Sequence, residues 1–194
     1  MAPRYKTPAD SAVTLAHIMS EHDTNLYGTV HGGVVMKLVD DAAAAAAARH
    51  ASGPAVTVSV EGMAYLHPAH AGDLLTVHAV VEHAGRTSMD VGVRVTAERW
   101  DTPGPVTDVA TAHLVFVATG ADGRPRPVAE LRPASAEDER RHARALRRRA
   151  LRVRQAEAGS PGARAGRPAA APPGQGQAPL PAGGGALPGS WCYV

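Results

Sequence analysis

The chain has 194 residues, enough for one ordinary domain with an extension, and 44% of them are hydrophobic. Only 4% are aromatic, so the core must be built from Val, Leu, Ala and Met side chains. Residues 1–131 carry nine Lys and Arg against 14 Asp and Glu, a net charge of −5, whereas residues 132–154 carry nine against three, or +6. Because the positive charge belongs to one short segment, the composition argues against a nucleic-acid-binding body.

Several classes of protein are disfavoured by what the sequence lacks. No run of about 20 apolar residues is available to span a bilayer, and residues 1–10 lack the apolar stretch of a secretion signal. The single cysteine, Cys192, excludes an intramolecular disulfide. We therefore expect a cytoplasmic protein without membrane contact. The ten histidines lack the spacing of metal ligands, so we predict no metal and no cofactor.

The first 131 residues predict one strand, one long helix and then four strands. A short extended segment covers residues 12–19, and the helix covers residues 31–50. Strands rich in Val, Thr and alternating apolar residues follow at residues 55–65, 74–82, 88–99 and 106–118. Short turns with Gly, Pro or Asp separate them, which favours an antiparallel sheet. One helix followed by such strands predicts an α+β domain with the sheet packed on the helix.

The predicted helix has an unusual composition. Seven successive alanines, Ala42 to Ala48, follow a run of Val, Met and Leu, and only Lys37, Asp40 and Asp41 are polar between residues 32 and 48. We expect this helix to be buried on nearly every side, with the alanines allowing a strongly curved sheet to wrap it closely. The alternative is that alanine is present only as the best helix former, which leaves the two acids unexplained.

Two segments follow the domain predicted over residues 1–131. Residues 132–156 predict a basic helix with Ser135 as its N-cap, acidic residues in the first turn and arginines later. Residues 157–194 are dominated by Gly, Pro and Ala and predict a disordered tail. The basic helix has one narrow apolar stripe at helical spacing, formed by Ala143, Leu146, Ala150 and Val153.

The start of the central helix carries the candidate chemistry. Gly32 and Gly33 permit close backbone approach there, and their amides, which have no partner within the helix, can polarise a carbonyl oxygen. Asp40 lies eight residues further, about 12 Å along the axis, and an acid in an apolar helix is costly unless it is partnered. Two antiparallel helices packed across a dimer axis would bring Asp40 of one chain to Gly32 of the other.

Three motifs follow one another along the predicted domain. Residues 25–40 have the pattern N-x-x-G-x-x-H-G-G-x-x-x-x-x-x-D, residues 65–73 have aromatic-x-x-P-x-x-x-G-D, and residues 85–89 are Gly-Arg-Thr-Ser-Met. In order and spacing they resemble the active-site segment and two turns of hotdog-fold acyl-CoA thioesterases, and the likeness covers roughly residues 10–150. The resemblance implies a hotdog fold, in which a curved antiparallel sheet wraps around a long central helix.

The resemblance also implies hydrolysis of acyl-CoA thioesters to free acid and coenzyme A. It assigns Asn25 to orienting the attacking water or the thioester, and the amide of Gly32, with Gly33, to polarising the thioester carbonyl. Asp40 is then either the nucleophile or the general base. The other implied substrate-binding residues are His31, Thr57, Arg86, Thr87 and Ser88, of which the last three would border the coenzyme A channel.

As partners the resemblance implies acyl-CoA and further copies of the chain: at least a dimer with shared active sites, extending to a trimer of dimers.

Some of these residues also have purely structural interpretations. Asn25 could form hydrogen bonds within its own loop, His31 could stabilise the start of the helix, and Arg86 could be only a turn residue. Asp41 would form a structural pair with an Arg or Lys. For the whole protein the alternatives are a hotdog sensor that binds acyl-CoA without hydrolysis, and a hotdog dehydratase or hydratase.

The basic helix has two interpretations. Coenzyme A carries several phosphate charges, and the negative body opposes its binding, so the helix could lie near a channel mouth and attract the nucleotide end. Alternatively, it is a solvated helix that keeps the oligomer in solution.

Overall fold

The computed structural model describes residues 4–158. The predicted disordered tail, residues 157–194, lies outside this part except for its first two residues, which extend the last helix. The strands are β1 (Tyr5–Lys6), β2 (Val13–Ile18), β3 (Ala55–Tyr65), β4 (Asp73–Ala84), β5 (Ser88–Arg99), β6 (Thr107–Ala118) and β7 (Glu130–Leu131). The helices are α1 (Pro8–Ser11), α2 (Gly32–Ala51) and α3 (Ala136–Ala158), with a 3₁₀ helix at Glu21–Asp23.

Five of the strands form one antiparallel sheet in the order β2-β4-β5-β6-β3, so that β2 and β3 are its edges. The predicted strands 55–65 and 88–99 have the observed bounds, whereas the strand predicted over residues 74–82 extends further at both ends. The two-residue strands β1 and β7 form a separate parallel pair. An α+β domain with one long helix against an antiparallel sheet is thereby confirmed.

The core lies between α2 and one face of the sheet. Val35 and Val39 of α2 are buried there, together with four alanines whose side chains have no exposed area. The sheet contributes larger side chains, including Leu75, Leu114 and Phe116. The fully buried alanines of α2 are Ala42, Ala43, Ala46 and Ala47. The alanines therefore belong to the core, where their small side chains allow the helix axis to lie close to the strands.

One side of α2 is exposed to solvent in the single chain. The composition of the helix had predicted burial on nearly every side, and this prediction does not hold for the single chain. Met36 is 44% exposed, and Gly33, Lys37 and Asp41 are exposed as well. The reason is the width of the sheet: among residues 4–158 it ends at β3, and no further strand of this part of the chain extends over that side of the helix. The open side therefore lies beside an unpaired sheet edge.

The C-terminal end of α2 is held by the N-terminal segment. The ammonium group of Lys6 in β1 donates hydrogen bonds to the carbonyl oxygens of Arg49, at 2.5 Å, and His50, at 3.0 Å. Helix-terminal carbonyls lack partners within the helix, and a cation there also meets the negative end of the helix dipole. Ser52, in the left-handed conformation with φ 53°, ends the helix. Within residues 4–158 no helix is long and apolar enough to cross a membrane.

Helix α3 packs on the sheet face opposite α2, in the same compact unit, which ends at Glu157. The amide of Asp138 donates to the Ser135 hydroxyl at 3.1 Å, which confirms the predicted N-cap. Arg148 donates to Glu82 at 2.5 Å, and Arg152 contacts Glu61 and donates to Asp90 at 3.0 Å. Three carboxylates of the sheet are thus covered by arginines of the helix.

The apolar stripe of α3 does not face the sheet. Its members are exposed, and the side that faces the sheet carries one buried alanine, Ala145, between the arginines. The cause is the surface beneath, where β4 and β5 present buried Glu82 and Asp90, which need cationic partners rather than apolar contacts. Burial raises the pKa of Glu82, and the neighbouring Arg148 opposes this effect. The exposed members of the stripe are Ala143, Leu146, Ala150 and Val153.

Candidate active site

Asp40 lies on the open side of α2, where it meets the edge strand β3. The hydroxyl of Thr57 donates a hydrogen bond of 2.9 Å to Asp40 Oδ1. Among residues 4–158, Oδ2 of this carboxylate has no hydrogen-bond partner. The neighbouring Asp41 differs, because it pairs with Lys37 at 2.6 Å on the exposed helix surface, as its structural interpretation predicted. Within residues 4–158, Asp40 is therefore the acid of this pair that is oriented by the sheet, and its Oδ2 remains unbonded.

The start of α2 presents one free backbone donor. The amide of Gly33 donates to His31 Nδ1 at 2.9 Å, so His31 caps the helix with its own side chain. Gly32 is the first helical residue, and within the described part of the chain no acceptor contacts its amide. Of the two amides considered from the sequence, that of Gly32 is therefore the one left free to polarise a carbonyl oxygen.

Tyr65, at the end of β3, holds this helix start in place. Its hydroxyl donates to the carbonyl oxygen of Gly32 at 2.6 Å. A Cβ atom at Gly32 would lie only 3.1 Å from the Tyr65 hydroxyl, so a larger residue would require the Tyr65 side chain to shift by a few tenths of an ångström. Sequence reasoning used Tyr65 only as the aromatic residue of a turn motif. Its aromatic side chain at the end of the strand after the helix was the one available signal for this role.

Two cavities adjoin these groups. One, of about 400 Å³, is lined by the free-amide residue Gly32 together with Val30, Val35, Tyr65 and Val109. The other, of about 360 Å³, follows the open side of α2 and borders Asp40, with mostly apolar walls from Met36, Val39, Val60, Met63 and Leu114. Each cavity therefore places apolar side chains beside one of the two candidate groups, the amide of Gly32 or the carboxylate of Asp40.

Asn25 organises its own loop. Its side-chain oxygen accepts hydrogen bonds from the amides of Tyr27, at 2.8 Å, and Thr29, at 3.4 Å, and its amide nitrogen donates to the Thr29 hydroxyl at 2.9 Å. These hydrogen bonds within one chain agree with the structural interpretation of Asn25 as a loop residue. Asn25 and Asp40 share no contact in the described part of the chain.

The turn between β4 and β5, together with the first residue of β5, contains the remaining candidates. Arg86 is exposed, and the Ser88 hydroxyl accepts a hydrogen bond of 3.1 Å from Arg149 of α3. Ser88 pairs with Val117 of β6, which pairs in turn with Val56 of β3. At about 4.8 Å per strand, the turn lies roughly 10 Å from the part of β3 that contacts Asp40.

One chain therefore brings only some of the candidates together. Asp40 lies with Thr57, and His31 with Gly32 and Gly33, but the rise of the helix separates Gly32 from Asp40 by about 12 Å. Within residues 4–158, no group of three or more His, Cys, Asp or Glu side chains is placed to hold a metal ion. Within one chain, a group bound at the free amide of Gly32 is therefore too far from Asp40 to contact it.

Known proteins with related sequences and structures support a common family. Residues 27–101 match the family model described as the thioesterase superfamily. The chain is 35% identical over 139 residues to the uncharacterized acyl-CoA thioester hydrolase YkhA of Bacillus subtilis, covering 70% of this chain and 80% of that protein. It is 32% identical to the cytosolic acyl coenzyme A thioester hydrolases of mouse, rat and human, but spans only 37% of their length.

The solved structures agree with these relatives. The crystal structure of an apo-hexameric acyl-CoA thioesterase has a TM-score of 0.76 and 32% identity, covering 79% of this chain and 98% of that one. An acyl-CoA hydrolase of Staphylococcus aureus, in complex with butyryl coenzyme A, coenzyme A and coenzyme A disulfide, has a TM-score of 0.74 and 29% identity, covering 80% and 94%. Variants of that hydrolase with an Asp, an Asn or a Thr replaced by Ala also match. This chain therefore belongs to the thioesterase superfamily, as a member of its hotdog-fold acyl-CoA thioester hydrolase family.

Proposed function

We propose that this chain hydrolyses acyl-CoA thioesters to free acid and coenzyme A, with Asp40 as the attacking group or general base. The observation that carries the proposal is the Asp40 carboxylate, held by Thr57 with one oxygen free. In the Staphylococcus aureus hydrolase, the replaced Asn and Asp are 15 positions apart, and the Asp and Thr 17 apart. Asn25, Asp40 and Thr57 have the same two separations.

The proposed reaction uses two groups, the backbone amide of Gly32 and the carboxylate of Asp40. The free amide of Gly32 donates to the thioester carbonyl oxygen and stabilises the charge that develops on it. The free oxygen of Asp40 either attacks the carbonyl carbon, to form an anhydride that water then cleaves, or removes a proton from the attacking water. In both routes the C–S bond breaks, coenzyme A leaves as the thiol and water supplies the hydroxyl of the acid. The hydrogen bond from Thr57 keeps the carboxylate oriented.

A homodimer supplies the complete site. On β3, Val56, Val58 and Val60 are 43 to 54% exposed along a sheet edge without a partner, which is an unfavourable state for a free strand. Pairing of two β3 edges would extend the sheet and bring the open sides of the two α2 helices together. Gly32 of one copy would then meet Asp40 of the other. We extend this to a hexamer, a trimer of dimers, because matching thioesterases are described as hexameric.

Acyl-CoA and further copies of the chain are thus its proposed partners. A cytoplasmic location is proposed as well, because the mammalian relatives are named cytosolic.

The test is release of coenzyme A thiol from a series of acyl-CoA substrates of increasing chain length, followed with a thiol reagent. Turnover that requires Asp40 supports the proposal. Binding of butyryl-CoA without thiol release, measured by calorimetry on the same preparation, would contradict it and favour a non-hydrolytic sensor.

A further inference from the structure

The cavity beside the backbone amide of Gly32 contains a second hydrogen-bond donor, the hydroxyl group of Tyr65. Both residues line this cavity of about 400 Å³. A Cβ atom built on Gly32 would lie 3.1 Å from the Tyr65 hydroxyl, so the phenol is within contact distance of the residue that carries the amide. Two donors beside one cavity are an arrangement that can stabilise negative charge on a carbonyl oxygen.

The hydroxyl of Tyr65 is able to exchange its present partner for another acceptor. It donates at 2.6 Å to the carbonyl oxygen of Gly32. Because Gly32 lies in the first turn of α2, helical geometry gives that oxygen a second donor, the amide of Met36. The carbonyl would therefore remain satisfied if Tyr65 turned away. The side chain of Tyr65 is 49% exposed, which leaves it room to move.

Tyr65 also remains protonated, as a donor must. Partial burial raises the pKa of Tyr65 above its ordinary value of 10.0, so the hydroxyl keeps its hydrogen at neutral pH. Two other polar side chains line the cavity. The Nδ1 atom of His67 lies 2.8 Å from the carbonyl oxygen of Asp108, and the hydroxyl of Thr29 accepts a hydrogen bond within its own loop. Tyr65 is the one of these three that bonds to Gly32 in the described part of the chain.

We propose that Tyr65 is a catalytic residue, whose hydroxyl turns from the Gly32 carbonyl to the carbonyl oxygen of the bound thioester. The inference rests on the proposed function for the reaction. When the attacking oxygen bonds to the carbonyl carbon, an electron pair moves onto the carbonyl oxygen, where Tyr65 and the amide of Gly32 each donate a hydrogen bond. The pair returns to the carbon as the C–S bond breaks and the sulfur leaves with the electrons of that bond. Tyr65 keeps its own proton throughout.

The first test compares Tyr65→Phe with Tyr5→Phe in the whole chain. Tyr5 is a matched control, because it is 52% exposed and its hydroxyl has no hydrogen-bond partner among residues 4–158. We expect Tyr65→Phe to lower kcat for butyryl-CoA by about 100-fold, the effect of losing one donor to the developing oxyanion. KM should change by less than about twofold, since the hydrogen bond becomes strong only in the transition state. Tyr5→Phe should leave both constants unchanged.

A second measurement separates this role from a purely structural one, in which Tyr65 only holds the start of α2. Mono- and difluorinated tyrosine at this position keep the hydroxyl but make it progressively more acidic and therefore a stronger donor. At a pH where each hydroxyl stays protonated, kcat should rise with this acidity if the hydroxyl donates to the developing oxyanion. Urea titration of the same chains reports separately on the bond to the Gly32 carbonyl. These chains also provide the test if Tyr65→Phe does not fold.

Two results would overturn the inference. One is a folded Tyr65→Phe chain whose kcat lies within about twofold of the value for Tyr5→Phe, because a lost oxyanion donor costs far more. The other is a constant kcat along the fluorinated series, which would mean that Tyr65 acts only by holding the helix.

Failure of the proposed function would appear separately, as an unchanged chain that releases no thiol from any acyl-CoA. Bound butyryl-CoA then stays intact, and infrared spectroscopy of its isotope-labelled thioester carbonyl measures the hydrogen bonds that the oxygen accepts. A smaller shift of the carbonyl band in Tyr65→Phe than in Tyr5→Phe would still support the contact with Tyr65, and equal shifts would refute it.

Discussion

Replacement of Asp40 by Asn separates catalysis from folding at the candidate site. The Asn side chain has nearly the same shape and keeps an oxygen that accepts the hydrogen bond from Thr57, which is 2.9 Å long in the native chain. Only the charge and basicity of the free carboxylate oxygen are lost. The expected cost in stability is about 1 kcal/mol, the difference between a charge-assisted and a neutral hydrogen bond.

The expected cost in catalysis is far larger. Removal of a general base lowers turnover by about 10²- to 10⁴-fold, and loss of a nucleophile costs at least as much. Asp41→Asn is the matched control, because it makes the same chemical change one residue away. It breaks only the exposed ion pair with Lys37, which contributes about 0.3–0.5 kcal/mol.

The assay is the steady-state release of thiol from the best acyl-CoA substrate, with thermal unfolding measured on the same samples. We expect kcat of Asp40→Asn to fall by at least about 100-fold, and kcat of Asp41→Asn to stay within about twofold of the unchanged chain. If the two variants have similar kcat values while both remain folded, Asp40 is not the reactive group and the proposed chemistry is wrong.

Four other predictions follow from the described contacts. Mixing Asn25→Ala chains with Asp40→Asn chains should restore activity, since half the sites of each mixed dimer then hold both native residues; no recovery after proven subunit exchange would contradict shared sites. Tyr65→Phe removes the 2.6 Å hydrogen bond to the first residue of α2 and should lower the free energy of unfolding by about 1 kcal/mol and also reduce kcat/KM, as measured by urea titration and thiol release. Lys6→Met removes a cation from the end of α2 and should cost about 1–2 kcal/mol, so an unchanged urea midpoint would refute this role. Burial, with nearby arginines, lowers the pKa of His113 from 6.5 to about 4, so the unfolded chain binds a proton in this pH range that the folded chain does not. Stability should therefore fall as pH falls from 6.5 towards 4, and His113→Gln should flatten that part of the curve of unfolding free energy against pH.

Much of the fold could be predicted because one residue pattern dominates each main element. The alternating strands and the apolar helix are local signals, so α2 was located to within one residue at each end. The strand predicted over residues 74–82 was too short, because a bulge after Val81 and the buried pair of His83 with Asp90 interrupt the apolar pattern. The two-residue strands β1 and β7 have no periodicity to detect.

The packing of α3 could not be predicted, since helical periodicity assumes that the buried side is apolar. The buried side here is mostly basic, because Glu82 and Asp90 of the sheet lie beneath it. Such a match depends on contacts between residues some 60 positions apart, which a local pattern does not contain. The hydrogen bond between Thr57 and Asp40, and that of Tyr65 with Gly32, depend in the same way on how β3 lies along α2.

The fully buried alanines of α2 make mutational tolerance unequal on the two sides of the core. A larger side chain at Ala43 or Ala46, for example, would push helix and sheet apart and cost about 1–3 kcal/mol, since both alanines are already without exposed area. On the strands, Val91 and Val95 can be exchanged for other aliphatic residues of similar volume at a lower cost. Evolutionary change in this core, and any attempt to stabilise it by design, should therefore be concentrated on the strands, while the helix keeps its small residues.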